Sequence, residues 1–140
     1  MSFLNDKVAI ITGDAQGIGT AIAEALVEAG AEVVLADIDD SPGRAWAERM
    51  GTAALYVHAG FSHEEQIREV ITKAVEAFGG VDILVNIVVN PIGVEMTASP
   101  EAWLVSYATN VIGPALLIQA IRPVMQRRGR GVIILGSEER

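Results

Sequence analysis

The amino-acid sequence predicts a single α/β domain over residues 1–140, with a parallel sheet covered by helices on both faces. Two observations lead to this fold class. Short apolar runs alternate with longer segments of helical period, and the runs are rich in valine, isoleucine and leucine, as strands buried on both faces must be. With 140 residues, 51% of them hydrophobic, the chain is long enough to bury one core.

Five apolar runs are the predicted strands, and the amphipathic segments between them are the predicted helices. The strands are residues 7–12, 32–37, 54–58, 81–88 and 132–135. Apolar residues recur at helical spacing after the first and third strands, and Gly30 and Gly79 are placed to end these two helices. A later segment, 101–126, is apolar enough to pack on the sheet and is expected to bend or split at Gly113 and the proline after it.

Serine residues predict where three helices begin. Ser41 and Ser99 are each followed by proline, which suits an N-terminal cap with proline at the first helical position. Ser62 stands three residues before Glu65, which is the spacing of a capping box.

Composition excludes several classes of protein. The net charge of −8 argues against a basic surface for nucleic acid and against electrostatic binding to an anionic membrane. The absence of cysteine excludes disulfides and thiolate metal sites. His58 and His63 lack metal-ligand spacing, so no metal site is expected. No segment has a signal pattern or the ~20 apolar residues of a membrane span, so a soluble, cytoplasmic protein is expected.

A glycine-rich turn follows the first strand and opens the first helix. Its glycines allow a tight turn and a close approach of a pyrophosphate to the backbone, while the start of the helix supplies amide donors. A purely structural turn is the alternative, but strand, turn and helix are in the register of a nucleotide site. The residues predicted to contact the cofactor here are Gly13, Gln16, Gly17, Ile18 and Gly19.

An acidic residue ends the second strand, about 20 residues beyond the glycine turn. The Asp37 carboxylate can accept hydrogen bonds from both ribose hydroxyls and would repel a 2′-phosphate, which favours NAD over NADP. Ile38, which follows it, and Asn86, at the fourth strand, complete the predicted cofactor-binding set.

Several segments together resemble the short-chain dehydrogenase/reductase family, essentially from end to end of the chain. The turn has the form T-G-x-x-x-G-x-G, residues 78–86 resemble the approach to the N-N-A-G motif, and residues 131–137 resemble the fifth strand. The resemblance implies a doubly wound Rossmann-type sheet with strand order 3-2-1-4-5, a nicotinamide cofactor, and hydride transfer to or from an alcohol or ketone carbon. It also implies catalytic roles for Asn110 and for Ser137. The family's serine position aligns with Ser137 if the fifth strand is shifted by one residue, and with Glu138 if it is in register.

The catalytic tyrosine and lysine of the family have no counterpart in this sequence. Tyr56 and Tyr107 are its tyrosines, and Gly60 and Val111 stand four residues after them, so no Y-x-x-x-K is present. The chain is therefore expected to be a version truncated after the fifth strand that does not catalyse alone, since general acid/base catalysis contributes roughly 10²–10⁴-fold in rate.

Further departures from the family lie where the cofactor is expected. Branched residues Ile87, Val88 and Val89 follow Asn86 in place of N-A-G and are expected to obstruct the groove. Phe61, in place of a small aliphatic residue of the family, could stack on adenine or merely fill the gap. Asp14 would either repel an anion at the glycine turn or cap the helix. Gly60 occupies the position of a family aspartate that bonds the adenine amino group.

Three hypotheses for the function follow. The first is an NAD-binding domain, the second a non-catalytic scaffold or interaction protein with a blocked groove, and the third an enzyme whose missing residues come from a partner or a longer chain. In each case the fifth strand leaves an edge that is apolar on both faces. A homo-oligomer is therefore expected, through that edge or through the helices of 101–126.

Overall fold

The computed structural model describes residues 2–13, 17–87 and 97–136. These residues form five strands and five helices, and the two types alternate along the chain except that α4 and α5 both lie between β4 and β5. The strands are β1 (Val8–Thr12), β2 (Glu32–Asp37), β3 (Ala54–His58), β4 (Ile83–Asn86) and β5 (Val132–Leu135). The helices are α1 (Ile18–Glu28), α2 (Asp40–Met50), α3 (Glu64–Phe78), α4 (Pro100–Tyr107) and α5 (Gly113–Arg128). A short 3₁₀ turn, Gly51–Ala53, precedes β3, and a π-helical turn, Ala108–Ile112, joins α4 to α5.

The five strands form one parallel sheet in the order β3-β2-β1-β4-β5, which confirms the predicted fold class and strand order. The chain moves outwards from β1 to β3 and then crosses back to β4 on the other side of β1. The order therefore reverses at β1, and a crevice forms at such a reversal beyond the carboxyl ends of the strands.

Both faces of the sheet are buried, and the alternation of side chains along each strand divides the core into two clusters. In β1, Ile10 points to the face covered by α3 and α5, whereas Ala9 and Ile11 point to the face covered by α1 and α2. All five residues of β1 are buried, as the central strand of a doubly covered sheet requires.

The fourth strand begins at Ile83, two residues after the predicted start at residue 81. The cause is the side chain of Asp82, whose Oδ2 accepts a hydrogen bond of 2.9 Å from the Val8 amide. The Asp82 amide donates to the Val8 carbonyl over 2.8 Å. A carboxylate thus replaces one backbone group of the ladder at this end of the sheet. The predicted last residue, Val88, lies outside the described residues.

Two of the three predicted helix starts are wrong. α2 begins at Asp40 with Asp39 as its N-cap, ahead of Ser41, and α3 begins after His63 without the predicted capping box at Ser62. Residues of β3 hold the Asp40 carboxylate at the start of α2. At the start of α3, Gln66 Oε1 in its first turn accepts a 2.6 Å bond from the Gly60 amide, which precedes the helix.

The start of α4 and its path into α5 agree with the sequence more closely. Ser99 Oγ accepts a 3.1 Å bond from the Ala102 amide, with proline at the first helical position, as predicted. The expected break at Gly113 takes the form of a widened π-helical turn just before it, and the helix continues. A side chain at Gly113 would overlap the Phe61 carbonyl, so glycine allows α5 to pack closely there.

The combined helix Pro100–Arg128 is long and apolar enough, by length and composition alone, to cross a membrane. The expectation that no segment reaches the length and apolar character of a membrane span is therefore wrong, and 22% of the apolar window of this helix is buried in the domain. One face of α5 packs on the sheet through Leu117, Ile121 and Val124, which accounts for the apolar character of that face.

Candidate functional site

The glycine turn leaves β1 at the edge where the carboxyl ends of the parallel strands meet. Gly13 has a φ of +87°, a conformation that L side chains rarely adopt, and its amide donates a 2.7 Å bond to the Ala36 carbonyl of β2. This bond ties the end of β1 to the end of β2. Gln16, predicted to contact the cofactor, and Asp14 lie outside the described residues.

The first helix begins directly after this turn. The Gly17 carbonyl accepts bonds from the Ala21 amide and from Thr20 Oγ1, at 3.2 and 2.8 Å, and these two bonds close the first turn of α1. That turn has no acidic side chain, and the helix dipole is therefore not offset by its own carboxylates. Ile18 is 67% exposed at this end, whereas Gly19 is buried against the sheet.

The Asp37 carboxylate stands at the end of β2, beside the glycine turn. Its Oδ1 accepts a 2.8 Å bond from the Ile38 amide, and Ile38 itself is exposed. The Asp37 main-chain carbonyl accepts a 3.0 Å bond from the Ala59 amide and lies 2.7 Å from the Tyr56 hydroxyl. The orientation of this carboxylate is therefore tied to the backbone just after β2.

Asn86 joins the ends of β1 and β4. Its side chain is buried, and its Oδ1 accepts a 2.7 Å hydrogen bond from Thr12 Oγ1, which is fully buried as well. The Ile87 amide then donates to the Thr12 carbonyl over 3.1 Å. The pair fixes the floor of the crevice at the reversal of strand order, and Thr12 is a site residue that the predicted set did not include.

Two of the departures from the family pattern are packing residues in the structure. Phe61 is 3% exposed and belongs to the core under α3 and α5, so of its two predicted roles it fills the gap. Ile87 is half-buried and packs against the core under α1 and α2. Val88 and Val89, the other residues expected to obstruct the groove, lie outside the described residues.

Asn110, the predicted catalytic asparagine, lies in the π-helical turn between α4 and α5. Its Nδ2 donates a 3.1 Å bond to Ser106 Oγ, one turn earlier, and the residue is exposed. A π-helical turn inside a helix occurs frequently at functional sites. Ser137 and Glu138, the two candidates for the serine position, lie outside the described residues.

Sequence reasoning missed a hydrogen-bonded group next to Asp37. The Tyr56 hydroxyl lies 2.8 Å from Asp40 Oδ1, and His58 Nδ1 lies 2.7 Å from the same oxygen. The hydrogen bond from Tyr56, and then the one from His58, hold the pKa of Asp40 below its ordinary value. Burial first, and then the bond to Asp40, raise the pKa of Tyr56. The predicted strand order could have revealed this group, because parallel pairing of β3 with β2 places His58 beside Asp37.

Metal binding has no support in residues 2–13, 17–87 and 97–136, where no group of three or more histidine, aspartate or glutamate side chains could hold an ion. The described part of the site instead consists of backbone amides at a helix start, one carboxylate at the end of β2, and buried polar pairs below them. Such an arrangement suits an anionic, hydroxyl-bearing ligand.

Comparison with known proteins identifies similar chains. The family model described as short chain dehydrogenase matches residues 7–137. An uncharacterised oxidoreductase of Thermotoga maritima is 36% identical over 135 residues, which are 94% of this chain and 53% of that protein. Galactitol 2-dehydrogenase of Agrobacterium fabrum is 38% identical over 132 residues, 91% of this chain and 50% of that enzyme. The chain spans about half the length of the curated relatives it matches.

A solved structure has the same architecture. The 3-ketoacyl-(acyl-carrier-protein) reductase of Brucella melitensis, crystallised in complex with NADH, superposes with a TM-score of 0.86 at 32% identity. The match covers 94% of this chain and 57% of the reductase chain. The topology described above is therefore shared with a protein that holds a nicotinamide dinucleotide.

Proposed function

Because the chain belongs to the short-chain dehydrogenase family, we propose that it forms the NAD(H)-binding part of an oxidoreductase that transfers hydride to or from an alcohol or ketone carbon. One observation carries this proposal. The positive-φ turn at Gly13, the start of α1 and the Asp37 carboxylate meet at the ends of the adjacent strands β1 and β2. A pyrophosphate would lie at the helix start, and the adenosine ribose at Asp37.

The preference for NAD over NADP is part of the proposal and rests on charge. A carboxylate at Asp37 accepts the ribose hydroxyls but repels a phosphate on the 2′ oxygen. Asp39 and Asp40 follow within three residues and add to the negative charge near Asp37. The NADH complex of the Brucella reductase supports the dinucleotide in general.

Hydride transfer itself requires residues that these 140 do not contain. Neither Tyr56 nor Tyr107 is followed by a lysine at the fourth position, and Tyr56 is held between β2 and α2. We therefore propose that the chain binds cofactor without turning over substrate by itself. Asn110 and Ser137 would take part only when a tyrosine and lysine are supplied from a partner or from a longer form of the protein.

Calorimetric titration with NAD and NADP tests the proposal. We expect micromolar binding of NAD, weaker binding of NADP, and a loss of roughly tenfold or more in NAD affinity in Asp37→Ala, because two hydrogen bonds to a charged acceptor are removed. Glu76→Ala, which removes one carboxylate from the exposed side of α3, is the matched control and should bind NAD unchanged.

The titration also separates the proposal from its rival. If neither dinucleotide binds, the nucleotide site is not functional, and a scaffold or interaction protein with a blocked groove becomes the better account. If NAD binds equally well to Asp37→Ala and to the original chain, the dinucleotide does not place its ribose at Asp37.

Self-association is a further proposal, supported by exposed apolar surface. All four residues of β5 are exposed on both faces of the sheet, from 39% at Ile133 to 57% at Leu135. Leu104 and Val111, on the helical segment Pro100–Arg128, are 69% and 50% exposed. We propose a homo-oligomer that buries the β5 edge or these helices, because apolar surfaces of this kind rarely remain in water.

A further inference from the structure

We propose that Tyr56 is a positioning residue that holds Asp37 in place for the adenosine ribose by joining the end of β2 to the start of α2. The inference rests on the proposed function, since it concerns how tightly the same site binds NAD(H). Tyr56 itself touches neither the ribose nor the nicotinamide and acts through Asp37.

The position of the hydroxyl makes this connection. It lies 2.7 Å from the Asp37 carbonyl and 2.8 Å from Asp40 Oδ1. β2 ends at Asp37 and α2 begins at Asp40, so only two residues separate the acceptors along the chain. The hydroxyl has one proton, which the two acceptors share, so this single side chain contacts both ends of the short loop. Because Asp37 Oδ1 accepts from the Ile38 amide inside the same loop, fixing the loop also fixes the carboxylate.

The ring of Tyr56 is held where the hydroxyl is needed. Tyr56 lies on β3 and pairs with Leu35 of β2, which sets its height along the sheet. Its ring packs beneath α2 at Gly43, where a Cβ atom would overlap the ring carbons. Gly43 is buried, so the helix and the ring are in close contact at this point. The fit between ring and helix places the hydroxyl with little freedom.

His58 completes the group from the same strand. Its Nδ1 lies 2.7 Å from Asp40 Oδ1, the oxygen that faces Tyr56, and it pairs with Asp37 across the sheet. Two side chains of β3 therefore hold one carboxylate of α2. The contact to His58 is exposed, with side chains 48% and 38% accessible, whereas Tyr56 is partly buried. Water competes less well for the Tyr56 hydroxyl than for the His58 ring, so we assign to Tyr56 the larger effect on the position of the loop.

An ordered carboxylate binds the ribose more tightly than a mobile one, because less freedom is lost when the ligand arrives. Tyr56→Phe keeps the ring in its place under Gly43 but removes the hydroxyl. We expect it to weaken NADH binding about fivefold, the change that corresponds to one ordinary hydrogen bond. NADPH affinity should change much less, since Asp37 does not assist NADPH. The proposed site thus loses selectivity as well as affinity.

The test is a double-mutant cycle on the 140-residue chain, with the dissociation constants of NADH and NADPH measured by fluorescence. The four proteins are the original chain, Tyr56→Phe, Asp37→Ala and the double variant. If Tyr56 acts through Asp37, its substitution weakens NADH binding in the original chain and has no further effect in Asp37→Ala. A general loosening of the domain would weaken binding in both backgrounds. Tyr107→Phe, the same change at an exposed tyrosine of α4, should leave NADH binding unchanged.

A second pair of variants addresses the same contact without altering Tyr56. Asp40→Asn keeps an oxygen acceptor for the hydroxyl and should bind NADH nearly as well as the original chain. Asp40→Ala removes the acceptor and should resemble Tyr56→Phe. Where Asp37→Ala binds too weakly for the cycle to be completed, this pair decides the question, and thermal unfolding verifies that each variant is folded.

Unchanged NADH binding by Tyr56→Phe would overturn the inference and leave the proposed function intact. The same follows if the effect persists fully in Asp37→Ala, or if Asp40→Asn and Asp40→Ala bind equally. Failure of the original chain to bind NADH at all would overturn the proposed function, and the inference with it.

Discussion

At the scale of single residues, the contact between Asp40 and Tyr56 shifts the pKa of both groups. The hydroxyl donates to the carboxylate, which stabilises the charged form of Asp40 and the neutral form of Tyr56. The pKa of Asp40 is lowered chiefly by this bond and then by His58, while burial acts in the opposite direction. The pKa of Tyr56 is raised first by burial and then by Asp40. At neutral pH the pair is therefore a neutral donor facing a charged acceptor.

This contact predicts a contribution to acid stability. Because the folded-state pKa of Asp40 is lowered from its ordinary 3.8, the carboxylate stabilises the fold fully above that pH. The contribution is lost as the pH falls through the lowered pKa. Urea unfolding at a series of pH values should show that Asp40→Asn loses less stability on acidification than the original chain does. Glu76→Gln is the control, and an equal acid dependence for Asp40→Asn and the original chain would contradict the prediction.

At the scale of elements, the amino ends of the strands are joined by one buried carboxylate. Asp82, just before β4, is 7% exposed and accepts a 2.9 Å bond from the Val8 amide at the start of β1. Arg128, at the end of α5, lies 3.4 Å from the same oxygen. Three elements therefore meet at Asp82, at the end of the sheet opposite the candidate site, which assigns this residue to stability and not to ligand binding.

Asp82→Ala is expected to lower the free energy of unfolding by about 1–3 kcal/mol, because the buried Val8 amide is left without an acceptor. Arg128→Ala should cost less, since the Arg128 side chain is 32% exposed and its distance to Asp82 is long for an ion pair. Urea unfolding of both variants measures the difference. A larger loss in Arg128→Ala than in Asp82→Ala would show that the ion pair, and not the amide contact, joins these elements.

At the scale of the whole molecule, burial is uneven across the sheet. β1 is buried in all five residues, whereas all four residues of β5 are exposed. Val132 and Ile134 point to one face and Ile133 and Leu135 to the other, so the exposed surface is apolar on both sides of the edge. The helical segment Pro100–Arg128 adds apolar side chains on its outer face.

Sedimentation velocity tests the resulting prediction of a homo-oligomer. At micromolar concentration the chain is expected to sediment as a defined species larger than a monomer. Ile134→Lys, which places a charge on the β5 edge, should shift it towards the monomer if that edge is the contact. Glu76→Lys on α3 is the matched control. A well-dispersed monomer of the original chain would rule the oligomer out, and an unchanged oligomer in Ile134→Lys would point to the helices.

The sequence by itself determined the fold class, the existence of all five strands, and the place of the glycine turn and of Asp37 at the ends of β1 and β2. These features are encoded locally, because strand burial, turn chemistry and helix period are visible in short stretches of residues. The resemblance to a family supplied the strand order, which the sheet confirms.

Only the tertiary structure decided the features that depend on residues far apart in the chain. The bond between Val8 and Asp82, 74 positions apart, sets where β4 begins, and the contact of Tyr56 with Asp37 spans 19 positions. α2 begins at Asp40 and not at Ser41 because β3 lies beside it and supplies partners for that carboxylate. Such contacts arise only when strands pair, so local patterns place the residues of the site but not the bonds that orient them.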